Sequence, residues 1–186
     1  MSSINLTNHF LIAMPTLADP NFSQTVTYVC SHGEDGAMGI IINRPLNFGL
    51  GEILSQMQLE PTDESIGHMP VYQGGPVQRD RGFVLFRPGA SWNSSIQVTE
   101  EVGVATSRDI LEAISKGEGP RETLIALGYA GWAGGQLEQE MLDNAWLSIP
   151  ANEDIIFRVP PQERWHRAAA LLGINIDTIA HDAGHA

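Results

Sequence analysis

The apolar segments of this chain are short, and glycine or proline closes nearly all of them. Residues 10–14 stop at Pro15, and residues 37–42 stop at Asn43-Arg44-Pro45. Such punctuation favours many tight turns and short strands over long helices. A second uncharged apolar stretch, residues 124–137, contains four glycines and is too short to cross a bilayer. No basic n-region precedes the first apolar run, so neither secretion nor membrane insertion is expected, and the expected location is the cytoplasm.

Periodicity then sorts the segments. Residues 9–13 read as a strand. In residues 25–30, Val26, Tyr28 and Cys30 alternate with Thr25, Thr27 and Val29, as in a strand. Residues 37–42 read as a strand buried on both faces. Strands are also expected at 71–73, 82–86, 96–98, 123–128, 146–149 and 155–159. Leu50, Ile53, Leu54 and Met57 recur at helical spacing. Ser107 can cap a helix with Ile110, Leu111 and Ile114 inward and Gly117 as its stop. Gly134-Gly135 opens another, with Leu137, Met141 and Ala145 one turn apart. Pro160-Pro161 opens the last, with Trp165, Ala168, Ala169 and Leu172 inward and Gly173 as its stop. A loose tail is expected over 176–186. Strands outnumber helices and do not alternate strictly with them. The expected fold is therefore α+β with a mixed, strongly curved sheet, in one domain spanning 1–186 and not a doubly wound parallel sheet.

Charge and cysteine content narrow the function classes. The formal charge is -12, from 22 acids against 10 bases, and every base except Lys116 is arginine. Nucleic-acid binders need a basic stripe, and this chain has no basic run, so direct nucleic-acid contact is disfavoured. Anionic membranes are disfavoured for the same reason. Cys30 is the sole cysteine, which excludes an internal disulfide and a multi-cysteine zinc site.

Four ordered blocks carry a family likeness. The first is Leu11-Ile12-Ala13-Met14-Pro15 running into Asp19-Pro20-Asn21-Phe22. The second is Gly36-Ala37-Met38-Gly39 running into Asn43-Arg44-Pro45. The third is Gly74-Gly75-Pro76-Val77 with Asp80-Arg81-Gly82-Phe83. The fourth is Leu127-Gly128-Tyr129-Ala130-Gly131-Trp132, continuing through Gly135-Gln136-Leu137-Glu138 to Asn144-Ala145-Trp146-Leu147. Together with the closing Ala183-Gly184-His185-Ala186, they resemble the AlgH/YqgE family of bacterial proteins over nearly the whole chain. The resemblance implies a bifurcated β-sheet curled into a pseudo-barrel with flanking helices. It carries over no reaction. The family name refers to a proposed regulatory role in alginate production. Phe86 stands where members of the family often have histidine, so any role of that histidine is unavailable here.

Five features could carry chemistry. Glycines from Gly128 to Gly135 could expose backbone N–H groups to an anion at a helix start, although close packing against Trp132 explains them better. Arg44, Arg79 and Arg81, the last two after Gly74 and Gly75, would make an anion pocket if the fold gathered them; local pairing with an acid such as Asp80 competes. Gln136, Glu140 and Asn144 are spaced by four and could line a cleft with Tyr129 and Trp132, or simply form a solvated helix face. Cys30 and His32 project the same way in a regular strand, although a buried inert thiol is the commoner outcome. His181 and His185, with Asp182, have the spacing of a helical metal pair, but Gly184 argues against a helix there.

The expected function is a binding or regulatory module rather than an enzyme, with its pocket near the Gly74-Gly75-Pro76 and Gly128–Trp132 turns, that takes a small anionic ligand or a protein partner and needs no cofactor and no metal. The alternatives are a hydrolase or transferase acting on an anionic substrate held by Arg44, Arg79 and Arg81, and a transcriptional regulator that works indirectly.

Overall fold

In the computed structural model, residues 4–88 and 91–183 are described, with side chains described to residue 179. Ten strands form one sheet: β1 (His9–Ala13), β2 (Val26–Gly33), β3 (Gly36–Ile41), β4 (Pro45–Gly49), β5 (Pro70–Gln73), β6 (Val77–Phe86), β7 (Ser95–Gln97), β8 (Gly103–Ala105), β9 (Thr123–Ala133) and β10 (Trp146–Pro150). The helices are α1 (Leu50–Gln56), α2 (Glu64–Gly67), α3 (Arg108–Ser115), α4 (Gln136–Leu142), α5 (Glu153–Phe157), α6 (Arg164–Ala170) and α7 (Ile176–Ala183). A 3-10 turn (Pro161–Glu163) precedes α6. None of the described helices is long and apolar enough to cross a membrane.

The sheet runs β10-β1-β2-β3-β9-β6-β8-β7, and it forks at β9. The first half of β9 pairs in parallel with β5, Val71 to Gln73 facing Ile125 to Leu127. Its second half pairs antiparallel with β3, which faces Ala130 through Ala133. One edge of a single strand thus serves two limbs in turn, while β6 follows the opposite edge. The fork is closed by Gly74, whose N–H donates to the Leu127 carbonyl at 2.8 Å and whose carbonyl accepts from the Ile41 N–H at 2.8 Å. A β-carbon on Gly74, Gly75 or Gly128 would collide with the backbone of the facing segment. Backbones can approach this closely only where side chains are missing.

This geometry corrects the strand reading at 123–128. The glycines after residue 127 do not end the strand, because β3 takes over the pairing there and β9 continues to Ala133. Likewise β6 begins at Val77, not at Gly82. Strands β4 and β8 and helix α2 had no sequence expectation. In β3 only the second half is buried, so burial on both faces holds for residues 39–41 and not for 36–38.

Three apolar layers fill the fold. Phe10, Ile12, Val26, Tyr28 and Ile40 face the inside of the curl with Trp165, Ala168 and Ala169 of α6. On the opposite face, Leu11, Ala13, Val29, Ala130 and Trp132 pack with Leu137 of α4. Under α1 and α3, Leu50, Leu54, Ile110 and Leu111 meet Val84, Phe86 and Ile125. Phe86 is therefore a core side chain, 2% exposed. Buried Arg164 ties α6 to the sheet. Its Nε donates to the Val159 carbonyl at 2.8 Å, Nη1 donates to the Ile42 carbonyl, and the guanidinium lies 5.1 Å from the Tyr72 ring centre.

Three expectations near the C-terminus are overturned. Residues 155–159 are not a strand. Asn152 accepts from the Ile155 N–H at 3.3 Å, and Glu153 and Asp154 occupy the first turn of α5, whose Ile155 and Ile156 are buried. The cap and the acidic turn outweigh the strand preference of the isoleucines. Leu172 points outward at 38% exposure, because α6 stops at Ala170. The tail is not loose from 176: Asn175 accepts from the N–H groups of Asp177 and Thr178, Ile176 is buried, and α7 runs to Ala183.

Candidate functional site

The fork leaves an open cleft of about 790 Å³ between the β2–β3 hairpin, the start of β6, the β7–β8 lip and the second half of β9. Its opening follows from a break in register. Val77 faces Tyr129 and Gly82 faces Leu127, so residues 78–81 of β6 stand opposite the single residue Gly128. A bulge of this size bends the strand and re-aims its side chains. Gln78 adopts φ 47 to make it, a left-handed conformation unusual for a residue with a side chain. Such outliers gather at binding and catalytic sites. Gly128, at φ 79, lets the Arg79 backbone lie over it.

After the bulge, side chains alternate. Arg81 and Phe83 line the cleft, and Asp80, Gly82 and Val84 face a separate groove on the other side of the sheet. The Arg81 guanidinium carbon sits 5.6 Å from the Phe83 ring centre, and Nη1 donates to Gln78 Oε1 at 3.3 Å. No carboxylate pairs with Arg81 among the described residues. The Tyr129 ring meets Phe83 edge-on at 5.5 Å. Met38, Ile96 and Val104 supply the remaining apolar wall, and Ser31 and Asp35 add polar groups. The lip is held by its own hydroxyls: Thr106 Oγ1 donates to Ser94 Oγ at 3.3 Å, and Ser95 Oγ donates to the Trp92 carbonyl at 3.3 Å.

The three arginines are not gathered. Arg44 donates to the carbonyls of Asn21 at 2.6 Å and Ser23 at 2.8 Å, bracing the turn before β2, in a small polar pocket beside α6. Arg79 is exposed and lies outside the cleft lining. The bulge sends consecutive charges to different sides, which residue spacing alone does not show. Neither Arg79 nor Arg81 pairs with Asp80 among the described residues, so that competing expectation fails as well. Gly74 and Gly75 are buried at the fork and touch no cleft.

The Gln136, Glu140 and Asn144 stripe is a latch on the far face. Glu140 Oε1 accepts from Trp132 Nε1 at 3.0 Å and from Trp146 Nε1 at 2.9 Å, and Oε2 accepts from Gln136 Nε2 at 2.9 Å. Asn144 lies past the end of α4 at φ 60 and shares no helix face with the other two. Trp132 borders the cleft, yet its indole packs against Phe22 and Trp146 on the other side. Gly134 and Gly135 make the tight entry to α4, Gly135 at φ 82.

Cys30 and His32 part company at a second bulge. Val29 faces Gly39 and Ser31 faces Met38, so Cys30 is the extra residue. Cys30 stays with the inner core, where burial pushes its thiol up to about 12, and it is inert at neutral pH. His32 turns to the opposite face. Its Nδ1 accepts from the Leu6 N–H at 2.9 Å, which leaves Nε2–H to donate to Glu138 Oε1 at 3.1 Å. Ser31, in the cleft, therefore has no histidine base beside it. Of the helical metal pair, His185 and the side chains of His181 and Asp182 lie outside the described residues. No group of three metal-ligating side chains is found among the described ones.

The hydrogen bond from His32 holds the Glu138 carboxyl below the usual carboxylate range. A depressed folded-state pKa adds stability above the unfolded value, and that stability is lost as pH falls through the folded value. The difference in Tm between the protein and Glu138→Gln is accordingly expected to be present at neutral pH and to close below about pH 4, a modest effect given the solvent exposure of Glu138. Thermal melts from pH 7 to pH 3 check it.

Comparison with known proteins agrees with this architecture. The AlgH-like family profile matches residues 10–177. The chain belongs to the AlgH-like family. A UPF0301 protein of Thioalkalivibrio sulfidiphilus is 57% identical over 185 residues, covering 100% of this chain and 99% of its own. One from Nitrosococcus oceani is 55% identical over 179 residues, covering 96% of each. The solution structure of the AlgH protein from Pseudomonas aeruginosa matches with a TM-score of 0.81 at 50% identity, covering 96% of this chain and 95% of that one. A Corynebacterium diphtheriae protein shares the fold at a TM-score of 0.74 and 15% identity, covering 97% and 94%. The curled, forked sheet of this AlgH-like chain is thus a family architecture. Several cleft residues, Ser31, Met38, Gln78, Phe83, Ile96 and Val104, are not among the candidate site residues that the sequence offers. The alternation of Arg81 and Phe83 was a usable signal for part of the wall; nothing in the sequence marked Gln78.

Proposed function

We propose that this AlgH-like protein is a binding module whose ligand is a small organic anion with a flat apolar body, held in the cleft at the sheet fork. The observation that carries the reading is Arg81, a cation at the cleft wall with no carboxylate partner among the described residues, stacked near Phe83 and beside Tyr129. A cleft of about 790 Å³ suits such a ligand. A guanidinium recognises a carboxylate or phosphate through paired N–H donors. The cleft lining contains Ser31 and Asp35 but no histidine or cysteine among the described residues, which supports binding over nucleophilic catalysis. A formal charge of -12 supports action without contact to nucleic acid.

A protein partner is the second reading, and Ile96 favours it. It is 57% exposed on β7, the last strand of the sheet, at the lip of the same cleft. A ligand covering Ile96 would alter the surface offered to that partner, which is one route to indirect regulation.

Calorimetric titration with 3-phenylpropionate tests the leading reading. Arg81→Ala is expected to weaken binding about 10-fold or more, the loss of one charge-assisted contact, and Arg81→Lys to weaken it less. Equal affinity in Arg81→Ala and the unaltered protein would reject the arginine as the anchor.

A further inference from the structure

On the reverse side of the β6–β8 sheet, a groove of about 420 Å³ runs between α1 and α3. Phe48, Ile53, Met57 and Leu127 are half-buried hydrophobics along it. Its floor includes Gly82, where an added β-carbon would meet nothing within 4 Å. The space above Gly82 is therefore open, in contrast to the packed glycines of the fork.

Three charged side chains line this groove, Glu52, Asp80 and Arg108, and among the described residues only the two carboxylates are unpaired. Arg108 is spoken for: its Nε pairs with Glu112 at 2.7 Å and Nη2 donates to the Met57 carbonyl at 2.8 Å. Glu52 and Asp80 line the same groove, are exposed, and have no cationic partner among the described residues. The β6 bulge that turns Arg81 into the cleft turns Asp80 to this side. Arg81 and Asp80 thus lie on opposite faces of a single sheet.

We propose that this groove is a second binding site, for a small apolar amine whose hydrocarbon part lies on Ile53, Met57 and Leu127 and whose ammonium is held by Glu52 and Asp80. The volume suits a ligand of drug size or smaller. The uncompensated carboxylates select a cation over a neutral or anionic relative of the same shape. This site is independent of the anion cleft.

Phenethylamine, with 2-phenylethanol as its uncharged counterpart, is the probe, followed by ¹H–¹⁵N NMR. The amine is expected to give saturable shifts at Ile53, Met57 and Leu111, and to bind about 3-fold to 5-fold more tightly than the alcohol, as two exposed ion pairs allow. The double variant Glu52→Gln, Asp80→Asn removes that preference. Gly82→Leu fills the open floor and abolishes the shifts while the spectrum stays dispersed. Equal affinity for amine and alcohol overturns the proposal. So do the absence of saturation, shifts confined to the Arg81 cleft, and undiminished amine binding in Gly82→Leu.

Discussion

Gly75→Ala is expected to destabilise the protein by about 4 kcal/mol or more, a large share of the stability of an ordinary domain. The methyl group would land well inside the van der Waals radii of the Tyr129 carbonyl and the Ala130 nitrogen. Those are backbone atoms of β9, held on one side by β3 and on the other by β6, so no rotamer change relieves the clash. Either the β5–β6 turn lifts away from β9 or β9 leaves β3, and both outcomes open the fork. Tm is expected to fall by about 10 °C or more. Gly82→Ala is the matched control. It lies in β6, opposite Leu127 of the same β9, with open space around it, and its effect is expected to stay within about 0.5 kcal/mol. Urea unfolding of the two variants compares a glycine required by backbone approach with one that is not.

Glu140→Ala is expected to cost about 3 kcal/mol, a large effect for a partly exposed carboxylate. The carboxylate is the sole acceptor found for two indole N–H groups, those of Trp132 and Trp146, which are 6% and 4% exposed. Alanine leaves both donors without a partner, and each such donor costs about 1–3 kcal/mol. Glutamine keeps one acceptor oxygen. Since a single oxygen serves both indoles, Glu140→Gln is expected to lose only about 1 kcal/mol, mainly the charge assistance. Denaturant titration followed by tryptophan fluorescence reads the difference. Similar losses in the two variants would show that the charge, and not the shared acceptor, matters.

The latch illustrates what spacing can and cannot convey. Residues spaced by four did mark Gln136 and Glu140 as neighbours, and they do bond to each other. Of the two indole partners of Glu140, Trp132 stands just upstream and is legible, but Trp146 arrives from β10 after the helix has ended and is not. Asn144 was assigned to the same face only because the end of α4 at Leu142 had no glycine or proline to announce it. The positive φ of Asn144 does the work glycine often does at such a stop.

The fold was most legible where local chemistry fixes an element. The β-branched run of β2 forms its strand, although both its faces are buried, and α3 lies within the Ser107–Gly117 frame, although the Ser107 side chain makes no cap hydrogen bond. Legibility failed where pairing partners decide. Gly128, Gly131 and Gly134 look locally like turn residues, yet β9 runs straight through the first two of them because β3 and β6 supply backbone partners. At α5 the helix-start signal of Asn152 followed by Glu153 and Asp154 outweighs the strand pattern of Ile155-Ile156.

The site was less legible still, because it depends on two bulges. A one-residue bulge at Cys30 separates the thiol from His32, and the longer one at 78–81 separates Arg81 from Asp80. Each reverses which side chains share a face, and a bulge leaves no compositional mark in either segment. Arg81 and Tyr129 are legible as candidates from the sequence, but the apolar wall around them comes from strands distant in sequence.

The most direct measurement of the central claim is an ¹H–¹⁵N NMR titration of the protein with 3-phenylpropionate. Saturable shifts at Met38, Phe83, Ile96 and Tyr129, reduced at equal ligand in Arg81→Ala, are the predicted result. Shifts gathered instead around Arg44, Asn43 and α6, or undiminished in Arg81→Ala, would contradict it and move the anion site away from the fork.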